Sequence, residues 1–498
     1  MNKEEGTMKK YFKITLFFLI SISIFFLIKC AVNPVTGKKE IMLVSQKMEI
    51  GLGQEIDRGL RQEYGIYQDP QLNAYIDHVG QKMIPFTHRP NLKYHFAILD
   101  TPVENAFAAP GGYIYITRGL LSLMNSEAEL ATVLGHELGH VNARHSARSM
   151  TRNILFTLGI ALVGELDEDL KKITPIAMAA TQLLFLKYSR SDEYQADSLG
   201  IQYSHKVGYS ADRMIQFFSS LQRLTEDRGG THLPNFLSTH PLTPRRIQRV
   251  KELLQTDEYV QKEGSPTLAV KRDSYLRKID GLIYGKNPKQ GYVEANTFYH
   301  PDMKFYFRIP HGWKISNTPQ QVTMMQPKGK AIILLKAETT NENLNTYAKK
   351  MHKNLSNPQI IQEGFRYVNG LNAFHSLIKS YTLNSEKQAS NEMKVLVSCI
   401  RKGDVVFTYF SAATLADFST YQNSIVNTIN SFKTLSSSRH LRRSPYRVSI
   451  KRVQGNPSLS HFLTTLGVPK KNWKNITLIN AMELDQKLKP NQLIKVIH

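Results

Sequence analysis

Hydrophobic positions change their spacing along the chain, and each spacing predicts a different element. The apolar run Ile14 to Ile28 follows Lys9, Lys10 and Lys13. A basic stretch ahead of a short apolar one is the layout of a secretory signal, and it falls short of the ~20 residues a spanning helix needs. Tyr113-Ile114-Tyr115-Ile116-Thr117 follows Gly111-Gly112 and predicts a short strand after a close-approach turn. Leu130, Val133, Leu134, Leu138 and Val141 recur in steps of three and four, which predicts an amphipathic helix. Ser126 and Glu129 stand ahead of it in the form of a capping box. Ile154 to Val163 and Ile173 to Leu186 are apolar but short, and Gly164-Glu165-Leu166-Asp167-Glu168-Asp169 separates them. They read either as a helical pair packed on a core or as a hairpin touching a membrane or covering a site.

The second half has a different texture. Residues 256–294 read as a linker with a helix, punctuated by Gly264-Ser265-Pro266 and Gly285-Lys286-Asn287-Pro288. Phe305, Phe307 and Ile309 alternate, and Ile332 to Leu335, Val395 to Ile400 and Val405 to Phe410 predict further strands. Leu344 to Leu355 and Phe418 to Phe432 predict helices, so 295–435 reads as an α+β accessory domain without a catalytic cluster. A polar, basic linker from Ser436 to Pro445 leads to a last module, 445–498, with a strand-helix-helix-strand pattern.

Composition changes this picture little. With 498 residues the chain needs more than one core, and 41% hydrophobic and 21% charged residues are ordinary for a folded protein. A net charge of +23 favours anionic partners. The sequence carries no nucleic-acid-binding module, so a membrane surface is the preferred reading. The two cysteines, Cys30 and Cys399, form no CxxC pair, which argues against a cysteine zinc site. Cys399 reads as a small buried hydrophobe.

The chemistry sits in His136-Glu137-Leu138-Gly139-His140. Two histidines four apart project from one helix face and can hold one zinc ion. Glu137 lies between them and can take a proton from zinc-bound water without being a ligand. A catalytic zinc needs a third protein ligand and an open fourth position. Downstream, Glu193 and Asp197 are again four apart. Glu193 completes the ligand set, and Asp197 accepts a hydrogen bond from the far nitrogen of a ligand histidine. His145 stands nine residues past His136, at the same angle of a continued helix but too far along its axis to share the ion, and reads as structural.

These motifs resemble the HtpX-like and CAAX-prenyl-protease-type zinc metallopeptidases (gluzincins), in their periplasmic BepA/LoiP-like lipoprotein branch. Four further segments share the likeness: Cys30 to Gly37, Asn105 to Gly112, Arg144-His145-Ser146, and Ser238-Thr239-His240-Pro241 with Arg245-Arg246-Ile247. It covers about residues 31–255. It implies an α+β architecture: a mainly helical zincin catalytic domain with a small sheet, then the accessory domain and the last module. It also implies that Tyr113 to Thr117 is an edge strand beside the zinc, where substrate adds as another strand along Gly112, Tyr113, Ile114 and Tyr115. His240 is implied as a switchable fourth zinc ligand or an oxyanion stabiliser, with Arg245 or Arg246 assisting. A strand without a ligand and a histidine that only caps its loop are the plain alternatives.

Cys30, behind Leu27-Ile28-Lys29, resembles a lipobox cysteine that is lipidated after cleavage, and residues 1–30 then form the signal peptide and lipobox. Lys29 departs from the small residue usual there, so an uncleaved membrane anchor stays open. Ala31 by analogy permits sorting to the outer membrane. The last module resembles a LysM-type glycan-binding fold, with Asn456-Pro457 and Asn491 as departures, which makes peptidoglycan a candidate partner. No 34-residue helical repeat occurs, so the partners of relatives with tetratricopeptide repeats do not carry over. The expectation is an envelope endopeptidase holding one Zn2+ per chain, in the periplasm and anchored to a membrane. It would hydrolyse unfolded or misassembled polypeptide. A zinc-stabilised assembly factor with little turnover and a cell-wall hydrolase are the alternatives.

Overall fold

A computed structural model describes residues 30–163, 188–227, 229, 234–260, 267–383 and 389–498. The apolar runs 14–28 and 173–186 lie outside the described residues. Among those described, no helix is long and apolar enough to cross a membrane. The chain divides into two compact units. One takes the chain up to Arg61, Ile66–Tyr284 and Arg447–His498; the other takes Gln62–Gly65 and Gly285–Tyr446.

The first unit opens with a hairpin, β1 (Cys30–Val32) against β2 (Lys39–Ile41). Its turn is set by Asn33, whose Oδ1 accepts from the backbone N–H of Val35 and Thr36. Helices α1 (Gln46–Glu63) and α2 (Pro70–Met83) follow. Then come β3 (His95–Leu99), β4 (Ala106–Ala109) and β5 (Tyr113–Thr117) in a three-stranded sheet of order β3-β5-β4.

That order corrects the expectation for β5. It is the central strand, parallel to β3 on one side and antiparallel to β4 on the other. Its hydrogen-bonding groups are used on both sides, so no further strand can add along Gly112, Tyr113, Ile114 and Tyr115. The alternating side chains that predict a strand carry no information about its neighbours. Gly111 and Gly112 do serve a close approach, but to protein. Their φ values are 77° and 96°. A Cβ on Gly111 would lie 2.7 Å from Ile50 Cα, and one on Gly112 would lie 2.4 Å from Lys93 O. The edge beside the histidine helix belongs to β4, which packs against that helix.

The last residues of the chain belong to this first unit. β6 (Tyr446–Arg452) pairs antiparallel with β7 (Leu493–Ile497), and Ile283–Tyr284 joins on the other side of β6. Helices Leu459–Thr465 and Trp473–Asn480 lie between the two strands in sequence. Val448, Phe462, Ile476 and Val496 sit in one apolar core with Leu121, Leu130 and Phe217. Lys495 is fully buried, and its ammonium donates to Ser122 O and Met124 O at 2.8 Å each. These carbonyls end the helix α3 (Arg118–Leu123), where unpaired acceptors would be costly. Removing residues 447–498 therefore strips apolar side chains from the core to which the histidine helix also belongs. We expect the truncated chain to be insoluble or to lose its cooperative thermal transition. A truncated chain that melts like the full one would contradict the shared core.

In the second unit a seven-stranded antiparallel sheet runs from Lys314–Asn317 at one edge to Gln359–Val368 at the other. Alternate residues feed two cores. Val397, Cys399 and Val406 pack with the helix Leu344–His352, while Ile400 and Phe407 pack with the helix Phe418–Asn430. Cys399 is a buried free thiol. Burial holds His300 and His375 down at about 4; Asp302 partly offsets it at the first, and the Arg366 charge adds to it at the second. A histidine lowered on folding leaves stability intact above its unfolded pKa of ~6.5 and erodes it as pH falls towards the folded value. Each can contribute up to about 3 kcal/mol. The urea midpoint of this unit should fall between pH 7 and pH 4.5, and a midpoint that stays flat over that range would contradict the assignment.

Candidate metal centre and active site

The helix α4 (Glu127–Asn142) starts at Ser126, whose Oγ accepts from Glu129 N at 3.2 Å. The return bond differs from a capping box, because the Glu129 carboxylate takes Asn125 N at 2.9 Å. A second helix, α5 (Arg190–Lys206), does close a full box between Ser189 and Asp192. The two cross along a seam of small residues. A Cβ on Gly135 would sit 2.9 Å from Gly200 O, one on Gly139 would sit 3.0 Å from Ala196 Cα, and one on Gly200 would sit 2.8 Å from His136 N. Only side chains this small let the backbones approach so closely, and that approach sets Glu193 against the histidine pair. The Gly135-x-x-x-Gly139 spacing was open to reading in the sequence and carried this meaning unnoticed.

His136, His140, Glu193 and His240 form a buried group whose ligand atoms all lie within 4.8 Å of one another. His136 Nε2 is 3.0 Å from His140 Nε2 and 3.3 Å from His240 Nδ1, which in turn is 3.0 Å from Glu193 Oε1. His136 turns Nδ1 to Asp197 Oδ1 at 2.9 Å. Both Asp197 oxygens already accept from Arg246, at 2.6 and 2.8 Å. The carboxylate needs a donor, so Nδ1 carries the proton and Nε2 keeps its lone pair. Bare nitrogens and a carboxylate converging on one point fit a divalent cation, and imidazole with carboxylate suits zinc.

Asp197 thus stands where it was expected, as the partner of a ligand histidine. Arg246, buried to 1% exposure, grips it and also lies 2.7 Å from Glu193 Oε2. Burial works against the Asp197 charge, yet the guanidinium outweighs it and holds the carboxyl at about 2. Arg245 points to solvent instead. Glu137 is fully buried, and neither of its oxygens has a hydrogen-bond partner. Burial raises its carboxyl above the ordinary range, opposed by the nearby His240 and His136. His240 caps the short helix Asn235–Thr239, stacks on Phe236 at 4.7 Å, and sets Nε2 3.7 Å from Glu137 Oε1. Tyr188 stacks on His140 at 4.0 Å, a contact with no signal in the sequence. Gly112, Tyr113, Ile114 and Tyr115 are not in this group. Cys30 begins β1, away from it in the chain.

Residues 70–254 match the family model of peptidase family M48. This segment is a peptidase family M48 domain. The metal group and Glu137 all fall inside it. A Vibrio cholerae counterpart of beta-barrel assembly-enhancing protease is 35% identical over 214 residues, 41% of this chain and 43% of that one. The beta-barrel assembly-enhancing protease of Escherichia coli O157:H7 is 29% identical over 225 residues, 43% of this chain and 45% of that one. The mitochondrial metalloendopeptidase OMA1 of Arabidopsis thaliana is 32% identical over 162 residues, 32% of this chain and 31% of that one. The chain spans less than half the length of each of these relatives.

Proposed function

We propose that this chain is a zinc-dependent endopeptidase of the bacterial envelope, hydrolysing unfolded or misassembled envelope proteins. The observation that carries the reading is the unpartnered, buried Glu137 carboxylate beside four converging ligands in an M48 domain. His136, His140 and Glu193 would hold the ion, which when bound lowers the pKa of its water and polarises the scissile carbonyl. Glu137 would accept a proton from the attacking water on its carboxylate and hand it to the leaving amine. Arg246 and Asp197 hold Glu193 and His136 in place. The names of the bacterial relatives favour outer-membrane proteins as clients. An extended client strand would pair along Ala106–Ala109, the edge next to α4, in place of the β5 register. A lipid on Cys30 would tether the chain to the membrane, outer more than inner, and the LysM-like last module would add contact with peptidoglycan.

His240 bears on turnover. Were His240 to stay a ligand beside His136, His140 and Glu193, no position would remain for the attacking water. That supports the role of His240 as a switchable ligand, and it also keeps alive a second reading, an assembly factor of low turnover. The test is casein cleavage by the chain without its leader, with and without chelator, beside His240→Ala. The peptidase reading expects chelator-sensitive cleavage, and the switch expects His240→Ala to be several-fold faster. Cleavage unchanged by chelator would defeat the peptidase. Slower cleavage by His240→Ala would make His240 an oxyanion stabiliser, and no cleavage by either chain would leave the assembly factor.

A further inference from the structure

His145 does not lie on a continuation of α4. The helix ends at Asn142, Arg144 takes a left-handed conformation with φ 57°, and a new helix begins at His145. Glu49 holds the turn by accepting from Arg144 Nε at 2.8 Å. The reversal folds the fully buried His145 ring back onto a ligand, with its Nδ1 2.9 Å from His140 Nδ1. On the far side His145 Nε2 is 3.0 Å from Gln195 Oε1 and 3.5 Å from Asp192 Oδ1.

We propose that His145 is a positioning residue that fixes the tautomer and orientation of His140, with Gln195 fixing His145 in turn. Gln195 Oε1 and the Asp192 carboxylate both accept, so His145 carries its proton on Nε2. A neutral ring then offers a bare Nδ1, and the single proton in the 2.9 Å contact sits on His140 Nδ1. His140 Nε2 is left with its lone pair directed at His136, Glu193 and His240. Asp197 does the same for His136, so each imidazole of the α4 pair has its own acceptor, a carboxylate for one and a histidine–glutamine pair for the other. The two acceptors reach the centre from different elements. Gln195 and Asp197 lie on α5, while His145 opens the helix after α4.

This inference rests on the metal reading, and the experiment separates the two. Zinc affinity of the full chain without its leader is measured by competition with a chelating dye, for wild type, His145→Phe, His145→Gln and Gln195→Leu. Losing an acceptor behind a metal-bound histidine typically weakens binding 10- to 100-fold. We expect a loss of that size in His145→Phe, a smaller loss in Gln195→Leu, and affinity within about threefold of wild type in His145→Gln, whose amide oxygen can accept from His140. A merely structural ring would be missed equally by phenylalanine and glutamine, so rescue by glutamine is the discriminating result. Should His145→Phe fail to fold, Gln195→Leu and His145→Gln still decide. Wild-type affinity in His145→Phe or Gln195→Leu, or equal loss in both His145 variants, overturns the positioning role and leaves the metal centre standing. A wild-type chain that binds no zinc removes both.

Discussion

Glu137→Gln should lower peptide hydrolysis by a factor of roughly 100 to 10,000 while zinc content stays at the wild-type level. The carboxylate is fully buried, has no hydrogen-bond partner, and lies on α4 between two ligands without being one. Burial lifts its pKa, which brings it nearer to the working range of a general base. Glutamine keeps the shape and loses only the ability to carry a proton away and return it. Apo stability should hold or rise, because a buried neutral amide costs less than a buried carboxylate with no donor. Zinc content, thermal melting and cleavage rate together check this. A variant that keeps zinc and cleaves within tenfold of wild type would place the base elsewhere.

Arg246→Met should destabilise the first unit by about 3–5 kcal/mol, as expected when one partner of a buried charge network is removed. The guanidinium donates twice to Asp197 and lies 2.7 Å from Glu193, and all three side chains are buried. Methionine fills most of the volume, so the loss reports stranded charge more than an empty space. Arg246→Lys should recover little, since one ammonium cannot reproduce the two-pronged hold on Asp197. In the double variant Asp197→Asn with Arg246→Met, the losses should fall short of their sum, because the stranded carboxylate is gone. The pH dependence has a definite sign. Asp197 is held down at about 2, so its contribution is present above its unfolded value of ~3.9 and fades as pH falls through about 2. Denaturant melts of wild type, Arg246→Met, Arg246→Lys, Asp197→Asn and the double variant decide it. An Arg246→Met midpoint equal to that of wild type would contradict the network.

The local chemistry of the site was open to reading because it is written at helical spacing. His136, Glu137 and His140 belong to one turn of one helix, and Glu193 and Asp197 to one turn of another. Such pairs are placed by the geometry of a single element. What lay beyond one element was hidden. His145 looked like the next turn of α4, and only the left-handed Arg144 sends it back against His140. Arg245 and Arg246 were equivalent on paper, but one faces solvent and the other is buried between two carboxylates.

By itself, then, the order of residues determined which side chains could meet within a helix, where α4 begins, and which segments alternate as strands. Those are short-range matters of spacing, capping and alternation. Tertiary structure decided that β5 lies inside its sheet and not at the rim, that the last residues share the core of the histidine helix, and that a second histidine backs His140. Strand neighbours, core membership and a chain reversal depend on contacts between residues far apart in the sequence. A pattern read along one segment does not contain them.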